Sequence, residues 1–192
     1  MKMQEMVMVR TLVCVLGFAL MHTVALGGEQ VDNPLYASWA KHQLGTSVTY
    51  SVELSAGGMQ LKNEVTNTLL EVTPEHVIIE SKMITDQDGG KQEIDAGTTR
   101  LPAKVDESAV NLPPEMDGEG RVTGNATLEV AGESFNCEVV EFKGSKMSDQ
   151  ASGTMHRCLD IPGGLVKLEA TGKGDMGENK MTITAISYQV KK

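Results

Sequence analysis

The chain has 192 residues, a length suited to one domain, with 40% hydrophobic and 4% aromatic content. Seventeen basic against 26 acidic side chains give a net charge of −9, the reverse of the basic footprint a nucleic-acid binder presents. The hydrophobic fraction supports a packed core and excludes global disorder.

Residues 1–27 read as a secretory signal. Lys2 and Arg10 supply the positive n-region, Thr11–Leu20 the apolar stretch, and Ala25-Leu26-Gly27 small residues at a cleavage site. The apolar run is shorter than the ~20 residues a transmembrane helix needs, and Cys14 lies inside it, away from any lipobox. Removing Lys2, Glu5 and Arg10 with the leader leaves 15 basic and 25 acidic residues in 28–192, a net charge of −10. Such a surface is repelled by anionic headgroups and nucleic acid alike. No transmembrane segment is expected after signal removal.

One helix is legible after the leader. Asn33 caps it, Pro34 suits its first turn, Gly45 ends it, and Leu35 and Trp39 share a face. The period then changes to two. In Thr46–Leu54 the apolar residues Val48, Tyr50, Val52 and Leu54 alternate with polar ones, which predicts a half-buried strand. Met59–Val72 predicts a long second strand whose phase slips at Leu69-Leu70, the mark of a bulge. His76–Thr85 and a weaker Lys91–Arg100 follow. Leu101–Gly120, with Pro102, Pro113 and Pro114, reads as a long excursion with one helical turn at Asp106–Asn111 and the role of a lid. Strands resume at Arg121–Val130, Ser134–Lys143, Gly153–Ile161, Gly164–Gly172 and Met181–Val190. The fold class is mainly β: one domain over 28–192, a curved antiparallel sheet with an N-terminal helix and a short helix in the excursion.

Cys137 and Cys158 remain after leader removal, and an even count in an exported chain favours a disulfide. Facing positions in a hairpin share a constant sum, and this pair centres on 147.5, within the polar Ser145–Gln150. The faces disagree, however: Cys137 aligns with Phe135 and Val139, Cys158 with His156 and Asp160. A bridge is the leading reading, two buried free thiols the next, and a metal or redox pair the last, because nearby His and Cys do not complete a tetrahedral set. No metal and no cofactor is expected.

Other motifs carry less. His42, His76 and His156 are isolated, and no nucleophile elbow is present, so no catalytic residue is assigned. Gly172-Lys173-Gly174-Asp175-Met176-Gly177 matches G-x-G-x-x-G but is followed by a strand pattern, so a hairpin turn is expected. Asp86-Gln87-Asp88-Gly89 lacks the closing Glu of a calcium loop. Asn125-Ala126-Thr127 is a glycosylation sequon inside a predicted strand.

Asp160-Ile161-Pro162-Gly163-Gly164-Leu165-Val166-Lys167, with Asn33-Pro34, Trp39-Ala40-Lys41 and Gly45, resembles small exported bacterial proteins of the planctomycete type, whose β-rich pattern looks like the LolA/LolB/LppX curved sheet. The resemblance implies a periplasmic or secreted, non-enzymatic domain that holds a lipid or lipoprotein acyl chain against an apolar concavity; it transfers no residue. On the residues alone, the face of Val48, Tyr50, Val52 and Leu54 with Trp39 is the candidate ligand-facing surface. A structural or protein-interaction domain with a filled core is the alternative, because core and cavity look alike in sequence.

Overall fold

The computed structural model describes residues 29–87, 90–113, 116–146, 149–174 and 177–191; the signal expected over 1–27 lies outside them. The elements are β1 (Gln30–Asp32), α1 (Pro34–Ala40), β2 (Ser47–Ala56), β3 (Met59–Val72), β4 (His76–Gln87), β5 (Gly90–Pro102), β6 (Lys104–Asp106), β7 (Asp117–Val130), β8 (Glu133–Lys146), β9 (Asp149–Arg157), β10 (Leu165–Gly174) and β11 (Gly177–Gln189). A 3-10 turn spans Glu107–Ala109.

Nine strands form one antiparallel sheet in the order β5-β4-β3-β2-β11-β10-β9-β8-β7, while β1 and β6 make a separate two-stranded ribbon. The sheet is two meanders, β2–β5 and β7–β11, fused where β2 pairs β11. It is open, with β5 and β7 as its edges, and is not closed into a barrel.

Helix α1 starts as expected: the Asn33 side chain accepts from the Leu35 N–H at 3.0 Å, and Pro34 occupies the first position. The phase slip in β3 is a bulge, since its register against β4 shifts between Leu69 and Glu71. A second shift, between Ala185 and Ser187, bends β11 against β2 near the same end of the sheet.

Curvature follows from two observations. Three strand spacings separate β8 from β11, about 14 Å on a flat sheet. Yet the Phe135 and Tyr188 rings lie 6.0 Å apart edge to face, and the Tyr188 hydroxyl donates to Glu133 at 2.6 Å. The second is that β7 and β11, four spacings or about 19 Å apart on a flat sheet, bring Cα atoms within 8 Å of each other. The sheet therefore curls, and residues 103–113, which follow β5, lie on its concave face as a strap.

Candidate functional site

The concave face carries Val48, Tyr50, Val52 and Leu54 of β2, Val65 and Leu69 of β3, and Leu168, Ile183 and Ala185 of β10 and β11. Three elements cover it at the end where α1 sits. The first is α1, which places Trp39 in the core at 2% exposure. The second is the loop 158–164, the Pro162-Gly163-Gly164 reversal. Gly163 and Gly164 adopt φ of 84° and 69°, the left-handed region where a side chain is strained. A Cβ on Gly163 would stand 2.9 Å from the Tyr50 hydroxyl and 3.2 Å from the Trp39 ring. The glycines thus let the loop lie directly on the aromatic pair. Burial pushes the Tyr50 hydroxyl above its ordinary pKa.

The third cover is the strap. The sequence reading took 101–120 as a largely structureless lid; β5 instead continues to Pro102, β7 begins at Asp117, and between them the chain is fastened at each step. β6 pairs β1 in the register Val31↔Val105, with Lys104 bonded to Asp32. The expected helical turn at 106–111 is a single 3-10 turn at Glu107–Ala109. Leu112 enters the core. Arg157, only 7% exposed, holds the strap from below. Its guanidinium donates to Val110 O at 2.9 Å and Asn111 Oδ1 at 3.2 Å, and twice to Glu138 Oε2 at 3.0 and 2.8 Å. Gly120 lies beneath, where a Cβ would stand 1.9 Å from Asn111 O. A latch this tight is anchored structure.

Of the five residues expected to face a ligand, Trp39, Val48, Tyr50 and Val52 are at most 5% exposed beneath these covers and pack with one another in the core. Leu54 alone is half-buried. It belongs to the register row Leu61–Leu54–Met181–Ala170–Gly153–Phe142, toward the end remote from α1. Leu61, Leu54 and Met181 keep partial exposure there, and Met59 at the turn is 47% exposed. The β2, β3 and β11 part of the concave face is incompletely covered and mainly apolar, and it also carries the buried Asn63 and the half-buried Asn179, whose Oδ1 has no hydrogen-bond partner.

Beside it, across the ends of β7–β11, lies a trough of about 800 Å³. Gly118, Gly144, Ala151 and Gly172 form a row of small residues along it, and Lys143, Lys173, Glu119 and Glu178 bring both signs of charge. Sequence reasoning missed the trough because its glycines belong to different strands and meet only through the register.

The expected disulfide is absent: Cys137 and Cys158 are free, buried thiols. The hairpin register is nevertheless the one expected. Glu138↔Arg157 and every further β8–β9 pair to Lys146↔Asp149 share one centre, with no bulge. The conflict of faces arises because Cys158 is not in the strand. Expected to continue to Ile161, β9 ends at Arg157; the Cys158 N–H then bonds Gly164 O and its carbonyl accepts from Ile161. Both thiols nevertheless stay in one buried core cluster. Burial first, then the influence of the neighbouring Cys158, pushes the Cys137 thiol up to about 11.

The histidines stand apart. His76 opens β4, Nδ1 against Thr73 Oγ1 at 2.9 Å and Nε2 against Glu71 at 3.3 Å. His42 Nε2 and His156 Nδ1 are buried without a hydrogen-bond partner, and burial lowers both pKa values. Among the described residues no three His, Cys, Asp or Glu side chains are grouped to hold a metal ion, and no helix is long and apolar enough to cross a membrane. β10 reaches Gly174 and β11 starts at Gly177, so the G-x-G-x-x-G match joins two strands of a hairpin.

No protein-family model and no curated protein matches the chain. Among solved structures it is similar to an exported protein with a YmcC-like fold from Bacteroides fragilis, at TM-score 0.43 and 9% identity, over 79% of this chain and 98% of that one. It is similar also to MucB, at TM-score 0.43 and 13% identity, over 83% of this chain and 57% of that one. A LolA superfamily protein from Nitrosomonas europaea matches at TM-score 0.24 and 9% identity, over 82% and 91% of the two chains. The chain spans little more than half the length of MucB. None of these matches transfers a residue role to this chain.

Proposed function

We propose that this chain is an exported, non-catalytic binding domain that accommodates the apolar chain of a lipid or lipoprotein on the uncovered part of its concave face. The observation that carries this reading is the partly exposed row Leu61, Leu54 and Met181 with Met59 at its rim, beyond the part of the face closed by α1, the 158–164 loop and the strap. Each methylene removed from water contributes about 0.8 kcal/mol, so affinity should rise roughly fourfold per added CH₂ until the row is filled. Isothermal titration with saturated fatty acids of increasing length, below their critical micelle concentrations, tests this, and native mass spectrometry of the chain purified without detergent tests for a carried lipid. Leu54→Lys should abolish binding and leave the far-ultraviolet spectrum unchanged. Affinity that ignores chain length, or survives Leu54→Lys, would sink the proposal.

A second reading has its own support. Four of the five expected ligand-facing residues are core, and the trough beside the row is polar as well as apolar and charged on its rim. An extended peptide segment with both charge signs fits that trough better than an acyl chain does. Under this reading the domain docks a protein partner, and Lys143→Glu with Lys173→Glu would weaken capture of the partner while acyl chains have no effect.

A further inference from the structure

The two thiols are the one reactive pair in the described residues that the proposed function leaves unused. Extended one step beyond its last paired residues, Glu138 and Arg157, the unshifted β8–β9 register would set Cys137 opposite Cys158. Both side chains are buried, at 0% and 3% exposure, and belong to the same core cluster. Cys137 Sγ also reaches the Phe135 carbonyl, at 3.6 Å. Adjacent positions across an antiparallel pair fall within the Cα separations a disulfide spans, ~4.4–6.8 Å. Cys158 also opens the 158–164 loop, whose glycines rest on Trp39 and Tyr50. A bond between these sulfurs would fasten that cover to β8.

We propose that Cys137 and Cys158 form a thiol–disulfide exchange site that latches the 158–164 loop over the concave face. The co-reactant is a low-molecular-weight disulfide such as oxidised glutathione. One cysteine, as thiolate, attacks a sulfur of that disulfide, breaking its S–S bond and releasing one glutathione thiolate; the second cysteine then attacks the mixed disulfide and releases the other. Two protein S–H bonds and one external S–S bond are replaced by one protein S–S bond and two glutathione thiols, so two electrons leave the protein pair and reduce the oxidant. With both sulfurs buried, the first attack requires the loop to lift, and the exchange rate reports how often the cover opens. The latch is independent of ligand: it rests on the register and the shared burial of the two thiols, and failure of acyl-chain binding leaves it standing.

The test uses the folded chain, reduced and then exposed to oxidised glutathione, quenched in acid, and alkylated after unfolding. The expected product is two mass units lighter than the reduced chain and carries no alkyl group on Cys137 or Cys158. Closing a loop of about twenty residues should also raise its melting temperature by roughly 6–12 °C over the reduced form. Cys158→Ser should keep its unoxidised melting temperature close to that of the reduced parent and lose the rise. Two alkylated thiols after prolonged exposure, or two stable glutathione adducts in place of an internal bridge, would overturn the proposal. A bridge that forms without any rise in melting temperature would overturn the latch.

Discussion

Gly120→Ala is the sharpest probe of the strap. The added Cβ would stand 1.9 Å from Asn111 O, 2.6 Å from its carbonyl carbon and 2.9 Å from its Cβ. A carbon and a carbonyl oxygen keep roughly 3.3 Å even in close C–H···O contact, so strap and strand must separate by about 1.4 Å. No rotamer change relieves the clash, because the colliding atoms are backbone. The separation stretches the Arg157 bonds to Val110 O, at 2.9 Å, and Asn111 Oδ1, at 3.2 Å, past hydrogen-bond range. Overpacking typically costs 1–3 kcal/mol, and a hydrogen bond to a charged group contributes about 1.5–3 kcal/mol. With the strain shared between β7 and the strap, a loss of about 2–4 kcal/mol is expected, equivalent to a melting-temperature drop of roughly 5–15 °C. The control is Gly124→Ala on the same strand, where a Cβ meets nothing within 4 Å; it should be neutral or stabilise by up to about 1 kcal/mol. Urea unfolding followed by circular dichroism supplies the comparison, with hydrogen exchange over 107–113 as the local readout. Equal midpoints for the two variants, or unchanged exchange in the strap, would refute the reasoning.

Three further outcomes follow from the same geometry. Arg157→Gln should cost about 2–3 kcal/mol, below the 3–5 of a fully buried pair because Glu138 is half-exposed and can rehydrate, and should raise exchange at Val110–Leu112 before that of β2 and β3; uniform acceleration across the sheet would contradict it. Gly153→Ala, whose Cβ would stand 2.0 Å from Glu169 O on the paired strand, should destabilise by about 2–3 kcal/mol, read as a lower urea midpoint at constant slope; an unchanged midpoint would show that β9 and β10 can part freely. His42 and His156 have folded pKa values below 6.5 through burial, so the unfolded chain takes up protons first and stability falls as pH drops below about 6.5 toward the folded values. Replacing both by Gln should flatten that part of the stability profile, and an identical slope in the variant would remove them as its cause.

The local elements of this fold are written in short-range patterns. Alternation marked β2, and β3 begins and ends at Met59 and Val72 as its pattern indicates, with the bulge where two leucines break phase. Asn33 and Pro34 announced α1, and the hairpin centre between β8 and β9 followed from the spacing of two cysteines. Each is a signal carried by residues a few positions apart. β7 is legible only from Arg121 onward, because Asp117-Gly118-Glu119-Gly120 reads as the end of the 101–120 excursion; Gly120 admits the strap's close approach and Gly118 that of β8, which no local pattern records. β1 and β6 escaped for a related reason: two three-residue strands joined across more than seventy positions show no period of their own.

The sequence by itself determined the class of the molecule: an acidic, mainly β chain with one short helix and a hairpin centred between its Cys137 and Cys158 positions. Tertiary structure alone decided which half of the concave face is closed. Val48, Tyr50 and Val52 and the half-buried Leu54 are the same kind of residue in the same alternating pattern. What separates them is where α1, the Gly163-Gly164 reversal and the Arg157-held strap come to rest. Those covers arrive from distant parts of the chain, and their positions depend on sheet curvature and on glycines that admit backbone against backbone. Alternation encodes which side of a strand is apolar; only the assembled sheet determines whether protein covers it.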